Sequence, residues 1–266
     1  MKKLATALVS AAAIMTMSTT AFAAENPAEV FDRVMEKNNT IQSAEIQSGV
    51  HSVILAKDVI PDGQMKVDMA MHAEMDMQDT TDLKYLAQVA SSILGQDSYS
   101  QVFYTDGYYY VDANGVKLKY PMPLEQIISS VQTGVNTSNM ESSYMKGISL
   151  NEVNGKRVLA YEANPKKLNK NVKEALGTVM NTLGTDVNLD MNIQEMKGAY
   201  VLDDNDYIIY MTNYIVYNME VLDQPMTCIT LMETEVQNPG EPVVVTLPST
   251  DGYEDLIGLY DGVIES

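Results

Sequence analysis

The run Gln64 to Gln78 limits the possible folds of this chain more than any other stretch. Met65, Val67, Met69, Met71, Ala73, Met75 and Met77 take alternate positions, and Gln64, Lys66, Asp68, His72, Glu74, Asp76 and Gln78 take the others, with Ala70 the one apolar residue among them. A period of two marks a β-strand with one apolar and one solvated face. At ~3.3 Å per residue such a strand would be roughly 45 to 50 Å long, well above the usual five or six residues, so its sheet must be tall or strongly curved. Asp186 to Gln194 repeats the pattern, with Val187, Leu189, Met191 and Ile193 directed inward and Asn188, Asp190, Asn192 and Gln194 outward.

Turn residues divide much of the remainder into hairpins. Pro61-Asp62-Gly63, Asp106-Gly107, Asn114-Gly115 and Asn154-Gly155 each lie between runs rich in Tyr, Val and Leu. Asp-Gly and Asn-Gly supply the left-handed backbone that tight hairpins require. Asp203-Asp204-Asn205-Asp206 and Asp223-Gln224-Pro225 mark two further turns flanking the β-prone runs Tyr207 to Leu222 and Met226 to Val236. The expected fold is mainly β, a curved antiparallel sheet or open half-barrel of about eleven strands, with helices covering its concave face.

Four helices are expected. The first has Asn26 as its cap, Pro27 at its first position, Glu29 at capping-box spacing, and one apolar stripe of Val30, Phe31, Val34 and Met35. Asp82 to Leu94 has Leu83, Leu86, Ala90 and Ile93 at helical spacing, and Leu124 to Val131 is a shorter segment following Pro121 and Pro123. The best defined is Pro165 to Leu183, capped by Asn164, with Leu168, Val172, Ala175, Leu176, Val179, Met180 and Leu183 on one side.

Residues 1 to 23 read as a secretory leader. Lys2 and Lys3 precede an apolar stretch, and Ala21-Phe22-Ala23 is an A-x-A cleavage site. Ser18-Thr19-Thr20 cuts the apolar run short of the roughly 20 residues needed to span a bilayer, and no Cys follows the cleavage site to carry a lipid. The expected product is an exported chain that is neither lipid-anchored nor inserted in the membrane, with a single domain over 24–248 and an acidic tail over 249–266. Without the two leader lysines, 15 basic residues stand against 36 acidic ones, a net charge of −21. Such a surface repels nucleic acid and anionic headgroups. Cys228 is the only cysteine, which excludes an internal disulfide framework, and its place inside a strand pattern reads as a buried, inert thiol.

The element order, together with the tyrosine-rich hairpin from Tyr104 to Tyr120 (YxxGYYYVDANGVKLKY) and the hairpin about Asn154-Gly155, resembles the bacterial lipoprotein-localisation carrier (LolA-like) superfamily. Within that superfamily it is similar to a group of uncharacterised secreted proteins and lipoproteins. The resemblance spans roughly residues 27 to 248. It implies an open half-barrel, capped by helices, that holds a hydrophobic guest such as an acyl chain, and it transfers no individual functional residue.

Catalytic chemistry is hard to assemble from these residues. The chain has two histidines, His51 and His72, on the two arms of the Pro61-Asp62-Gly63 turn. A tight turn there would place His51 opposite Glu74 and near His72, a weak metal site at most, and solvated polar-face residues account for the same pattern. There is no H-E-x-x-H, P-loop, G-x-G-x-x-G or EF-hand spacing. No catalytic residue, cofactor or metal ligand is assigned, and the chain reads as a non-enzyme.

The methionines are the unusual feature, with 19 in the chain and 16 beyond the leader. Thioethers suit Cu(I), and the Met-rich stripe has that flavour. Alternate residues on one strand, however, stand ~7 Å apart, too far for neighbouring sulfurs to share an ion unaided. The simpler reading is an apolar wall, because unbranched, polarisable Met adapts to guests of irregular shape. The candidate ligand-binding residues are therefore Met65, Val67, Met69, Met71, Met75, Met77, Val187, Leu189, Met191 and Ile193. The expected function is an exported binding protein for a lipid or other hydrophobic molecule. The alternatives are a protein-interaction or surface-sensing module with a closed core and, less favoured, a Cu(I)-binding protein using the Met stripe.

Overall fold

The computed structural model describes residues 25–56, 60, 62–79, 83–123, 140–170, 191–221 and 224–256. The leader, the expected helix Leu124 to Val131, and residues 171–190 lie outside them. The described strands are β1 (Ser43–Leu55), β2 (Gln64–Asp76), β3 (Lys84–Ile93), β4 (Gln96–Thr105), β5 (Tyr108–Ala113), β6 (Val116–Pro121), β7 (Met145–Val153), β8 (Lys156–Ala163), β9 (Met191–Leu202), β10 (Ile208–Val221), β11 (Gln224–Gln237) and the two-residue β12 (Glu254–Asp255). They form one open, curved sheet in the order β12-β6-β5-β4-β3-β2-β1-β11-β10-β9-β8-β7. Two antiparallel meanders, β1 to β6 and β7 to β11, meet where β1 pairs with β11. The short β12 adds in parallel to β6.

The hairpins follow from local chemistry. Asp106 and Gly107, Asn114 and Gly115, and Asn154 and Gly155 all have positive φ, from 52° to 88°, as the two central residues of a tight hairpin turn must. The β1–β2 connection differs from expectation. Instead of a tight turn centred on Asp62, it runs from Ala56 to Gly63, closed by the Ala56 amide on the Gly63 carbonyl at 3.0 Å. The register shifts accordingly, so that His51 faces Asp68 and His72 faces Gln47.

The segment Asp82 to Leu94 is not a helix. Most of it is strand β3, and Leu94-Gly95 forms the next tight turn with φ of 52° and 77°. The misleading pattern has a physical source: near its start, at Leu86 and Ala87, β3 is covered on both faces. Ala87 belongs to the core on one side and Leu86 to a second cluster on the other. A strand buried on both faces loses its alternation, and its apolar residues then match a helical period as well.

The first helix, α1 (Pro27–Asn38), forms as its residues dictate. The Asn26 side chain accepts the Ala28 amide, and Val30, Phe31, Val34 and Met35 are buried. A second helix, α2, covers 165–170 among the described residues, with the Asn164 carboxamide oxygen accepting the Lys166 amide at 3.1 Å. Both pack on one face of the second meander. Phe31 meets Tyr161 edge-on at 5.7 Å and Tyr200 at 6.2 Å, and Leu168 joins the same core with Leu150, Leu159 and Ile193. We call this the α1 face.

Candidate functional site

Cross-strand pairing places every residue of the methionine stripe on the α1 face. Met75 lies opposite Ala44, Ala73 opposite Ile46, Met71 opposite Ser48, Met69 opposite Val50, Val67 opposite Ser52 and Met65 opposite Ile54. The stripe is not uniform along its length. Met75 and Met77 are 1% and 3% exposed, packed with Ala44, Ile46, Leu83 and Tyr104. Met65, Val67 and Met71 are half-buried, and Met69 is 39% exposed. One end of β2 therefore belongs to the core, and the other presents apolar side chains to the outside.

The register adds neighbours that periodicity within β2 cannot reveal. Val89 stands opposite Met71 and Ile93 opposite Val67 on β3, while Met232 of β11 stands opposite Val50. Ile93 is 43% exposed. Hydroxyls interrupt this surface, but they pair across strands: Ser48 with Thr234 at 2.8 Å, Ser52 with Thr230 at 2.9 Å and Ser91 with Ser98 at 2.6 Å. Paired hydroxyls make little demand on water, so an apolar molecule can lie over them at a small desolvation cost.

The remaining candidates divide. Ile193 is buried in the core beneath α1, whereas Met191 is half-buried near the end of β9. Val187 and Leu189 lie outside the described residues. Cys228 is 1% exposed, as a buried thiol should be, and burial pushes its pKa up despite a hydrogen bond with Tyr217.

The opposite face carries the polar residues of β2 together with both histidines. His51 Nδ1 lies 2.7 Å from Asp68 Oδ1, and His72 Nε2 lies 3.1 Å from Glu45 Oε1 and 3.9 Å from Glu74. Each histidine is thus paired with a carboxylate across the β1–β2 ladder, and the pairing of His51 with Glu74 and His72 does not occur. Among the described residues no three His, Cys, Asp or Glu side chains converge as a metal site. A groove of about 700 Å³ on this face is lined by Glu45, Gln47, His72, Tyr210, Glu233 and Glu235. Within it the Tyr210 hydroxyl donates to Glu233 Oε1 at 2.6 Å, and burial followed by that carboxylate raises the phenol pKa. Such a phenol stays protonated at neutral pH and offers no base.

Part of this face is covered by the chain itself. Val243, Val245 and Leu247 lie over Leu86, Phe103 and Tyr110, and Tyr253 stands edge-on to Phe103 and Tyr110 at 5.6 and 5.1 Å. The described part of the tail is therefore docked.

A family model, described as a family of unknown function (DUF6612), matches residues 26–248, from the cap of α1 through the segment that crosses the opposite face. The chain belongs to DUF6612. No curated protein sequence matches. Among solved structures, this DUF6612 chain is similar to LprF from Mycobacterium bovis at 10% identity, covering 84% of this chain and 97% of that one with a TM-score of 0.35. The Mycobacterium tuberculosis lipoprotein LppX matches at 9% identity over 84% of this chain and 100% of its own, with a TM-score of 0.36. A β-barrel-like protein of the domain of unknown function DUF1849 from Brucella abortus matches at 12% identity over 75% and 100%, with a TM-score of 0.24. Likeness at this level says nothing about what the DUF6612 chain binds. Among the described residues no helix is long and apolar enough to cross a membrane.

Proposed function

We propose that the protein is an exported, non-enzymatic binding protein that holds a hydrophobic molecule, such as an acyl chain, on the open part of the α1 face. The observation that carries this reading is the gradient along β2. The same alternating stripe that fills the core at Met75 and Met77 continues as a partly exposed apolar surface at Met65, Val67, Met69 and Met71, widened by Val50, Val89 and Ile93. Covering apolar area is worth about 25 cal/mol per Å², so a guest spanning several of these side chains gains several kcal/mol before ordering costs. Export rests on the leader at residues 1–23.

Native mass spectrometry and solvent extraction of the mature protein, followed by titration with a fluorescent fatty acid, test the reading. Met69→Asp should weaken uptake by at least tenfold while the domain stays folded, because that side chain is already 39% exposed. A folded wild-type protein with neither extracted lipid nor fatty-acid uptake would falsify it.

A further inference from the structure

A second group of sulfurs lies on the α1 face near the ends of β9, β10 and β11. Met219 on β10 stands opposite Met226 on β11 and opposite Met191 on β9, so three thioethers from three adjacent strands form one row. Directly opposed residues have Cβ atoms about 4.5–5.5 Å apart, and the flexible Met side chain can close that gap. This differs from the β2 stripe, whose sulfurs follow one another along a single strand. Cys228, two residues beyond Met226 and on the same face, places its Sγ 3.7 Å from Met219 Sδ. Two sulfurs bound to one ion at about 2.3 Å, with a tetrahedral to trigonal angle between them, stand about 3.8–4.0 Å apart. The Cys228 and Met219 sulfurs are therefore within a few tenths of an ångström of bidentate spacing.

We propose that Cys228, Met219, Met226 and Met191 form a binding site for one Cu(I) ion. One thiolate with three thioethers is a soft donor set, which selects a soft monovalent ion over Zn(II), Mg(II) or Ca(II). The cluster lies away from His51 and His72, whose imidazoles are on the opposite face. Met191, Met219 and Met226 are each half-buried, so an ion can approach from solvent while the thiol itself stays covered. On binding, the Cys228 S–H bond breaks, an S–Cu bond forms and the proton leaves to solvent, with no change in oxidation state. Tyr217 is the titratable neighbour of the thiol on β10, and Ile54 faces it from β1. The site is independent of the acyl-binding reading, since it shares no residue with the open end of β2.

The test is anaerobic titration of the mature protein with Cu(I) against a chromogenic Cu(I) chelator, alongside Ag(I) as a redox-inert probe. One equivalent should be retained, with one proton released per ion and a sulfur-only coordination shell in X-ray absorption. Cys228→Ser and Met219→Leu should each lower the affinity by more than the roughly 10- to 100-fold that even an outer partner of a ligand is worth. Met226→Leu, at a half-buried position that keeps the volume, provides a second variant whose folding is not in question. Met122→Leu, at a half-buried methionine beyond β6 on the far side of the sheet, should leave the Cu(I) affinity unchanged. Complete loss of Cu(I) from the wild type to the chelator, or retention that survives Cys228→Ser and Met219→Leu in folded protein, overturns the proposal.

Discussion

At the scale of single residues, Gly198 shows how closely the core under α1 is built. A Cβ at this position would lie 2.6 Å from the Thr212 carbonyl oxygen and 2.8 Å from the Tyr161 hydroxyl. Gly198 sits opposite both Tyr161 and Asn213, and the space it leaves is where the Tyr161 hydroxyl donates to Asn213 Oδ1. Burial holds the Tyr161 phenol well above its usual pKa, and the hydrogen bond keeps its hydroxyl satisfied inside the core. Gly198→Ala must push backbone apart as well as side chain. It should cost about 1–3 kcal/mol, as overpacking does, read as a lower urea midpoint with an unchanged slope. An unchanged midpoint would show that the strands yield freely at this position.

At the scale of elements, the turns separate into those whose residues suit them and one whose residues do not. Asp106, Asn114 and Asn154 tolerate a left-handed backbone, because a short polar side chain can hydrogen-bond locally. Leu94 occupies the same backbone position with φ of 52° and is 69% exposed, so it bears the strain of that conformation and packs against little. Leu94→Asn should stabilise the chain by about 0.5–1 kcal/mol, measured as a rise in melting temperature. A fall would mean that Leu94 makes a contact worth more than the strain. The same residue explains why β3 was hard to read: an Asn-Gly here would have announced a hairpin, and Leu-Gly does not. Helix α1 is the opposite case, because its cap, its first-turn Pro and its buried stripe are all local properties of residues 26 to 35.

At the scale of the whole molecule, an ionic cluster ties the N-terminal helix to the second meander. Arg33 on α1 donates to Asp206 at 2.8 Å and Arg157 on β8 does so at 2.6 Å, while Glu25 lies 3.2 and 3.3 Å from the same two guanidinium groups. Burial alone would raise the Asp206 pKa, but the hydrogen bonds and charges of Arg33 and Arg157 outweigh it and hold the carboxyl below its ordinary 3.8. As pH falls, the unfolded chain takes up this proton first. The cluster's contribution is therefore complete above about pH 5 and is lost as pH falls through the folded value. Asp206→Asn should cost about 1–2 kcal/mol at pH 7, with the half-exposed Arg33 discounted for screening. It should also flatten the loss of melting temperature between pH 5 and pH 3. An equal acid response in both proteins would remove the cluster as its source.

Local pattern was enough to read the antiparallel class, the hairpins at Asp106, Asn114 and Asn154, helix α1, the start of α2 and the separation of β2 into an apolar and a polar face. Each of these depends on a few consecutive residues: a cap, a φ preference or a side-chain period of two. The fate of each face was not local. Met75 is core because residues of other strands, among them Ala44, Ile46, Tyr104 and Val236, pack with it, whereas Met69 is 39% exposed, and alternation is the same at both. The β1–β2 loop proved longer than a tight turn, which moved the register and separated His51 from Glu74. The separate pairing of β10 with β9 and β11 gathers Met191, Met219, Met226 and Cys228 onto one patch. Spacing along the chain gives no hint of it, because adjacency between strands is a property of the folded sheet.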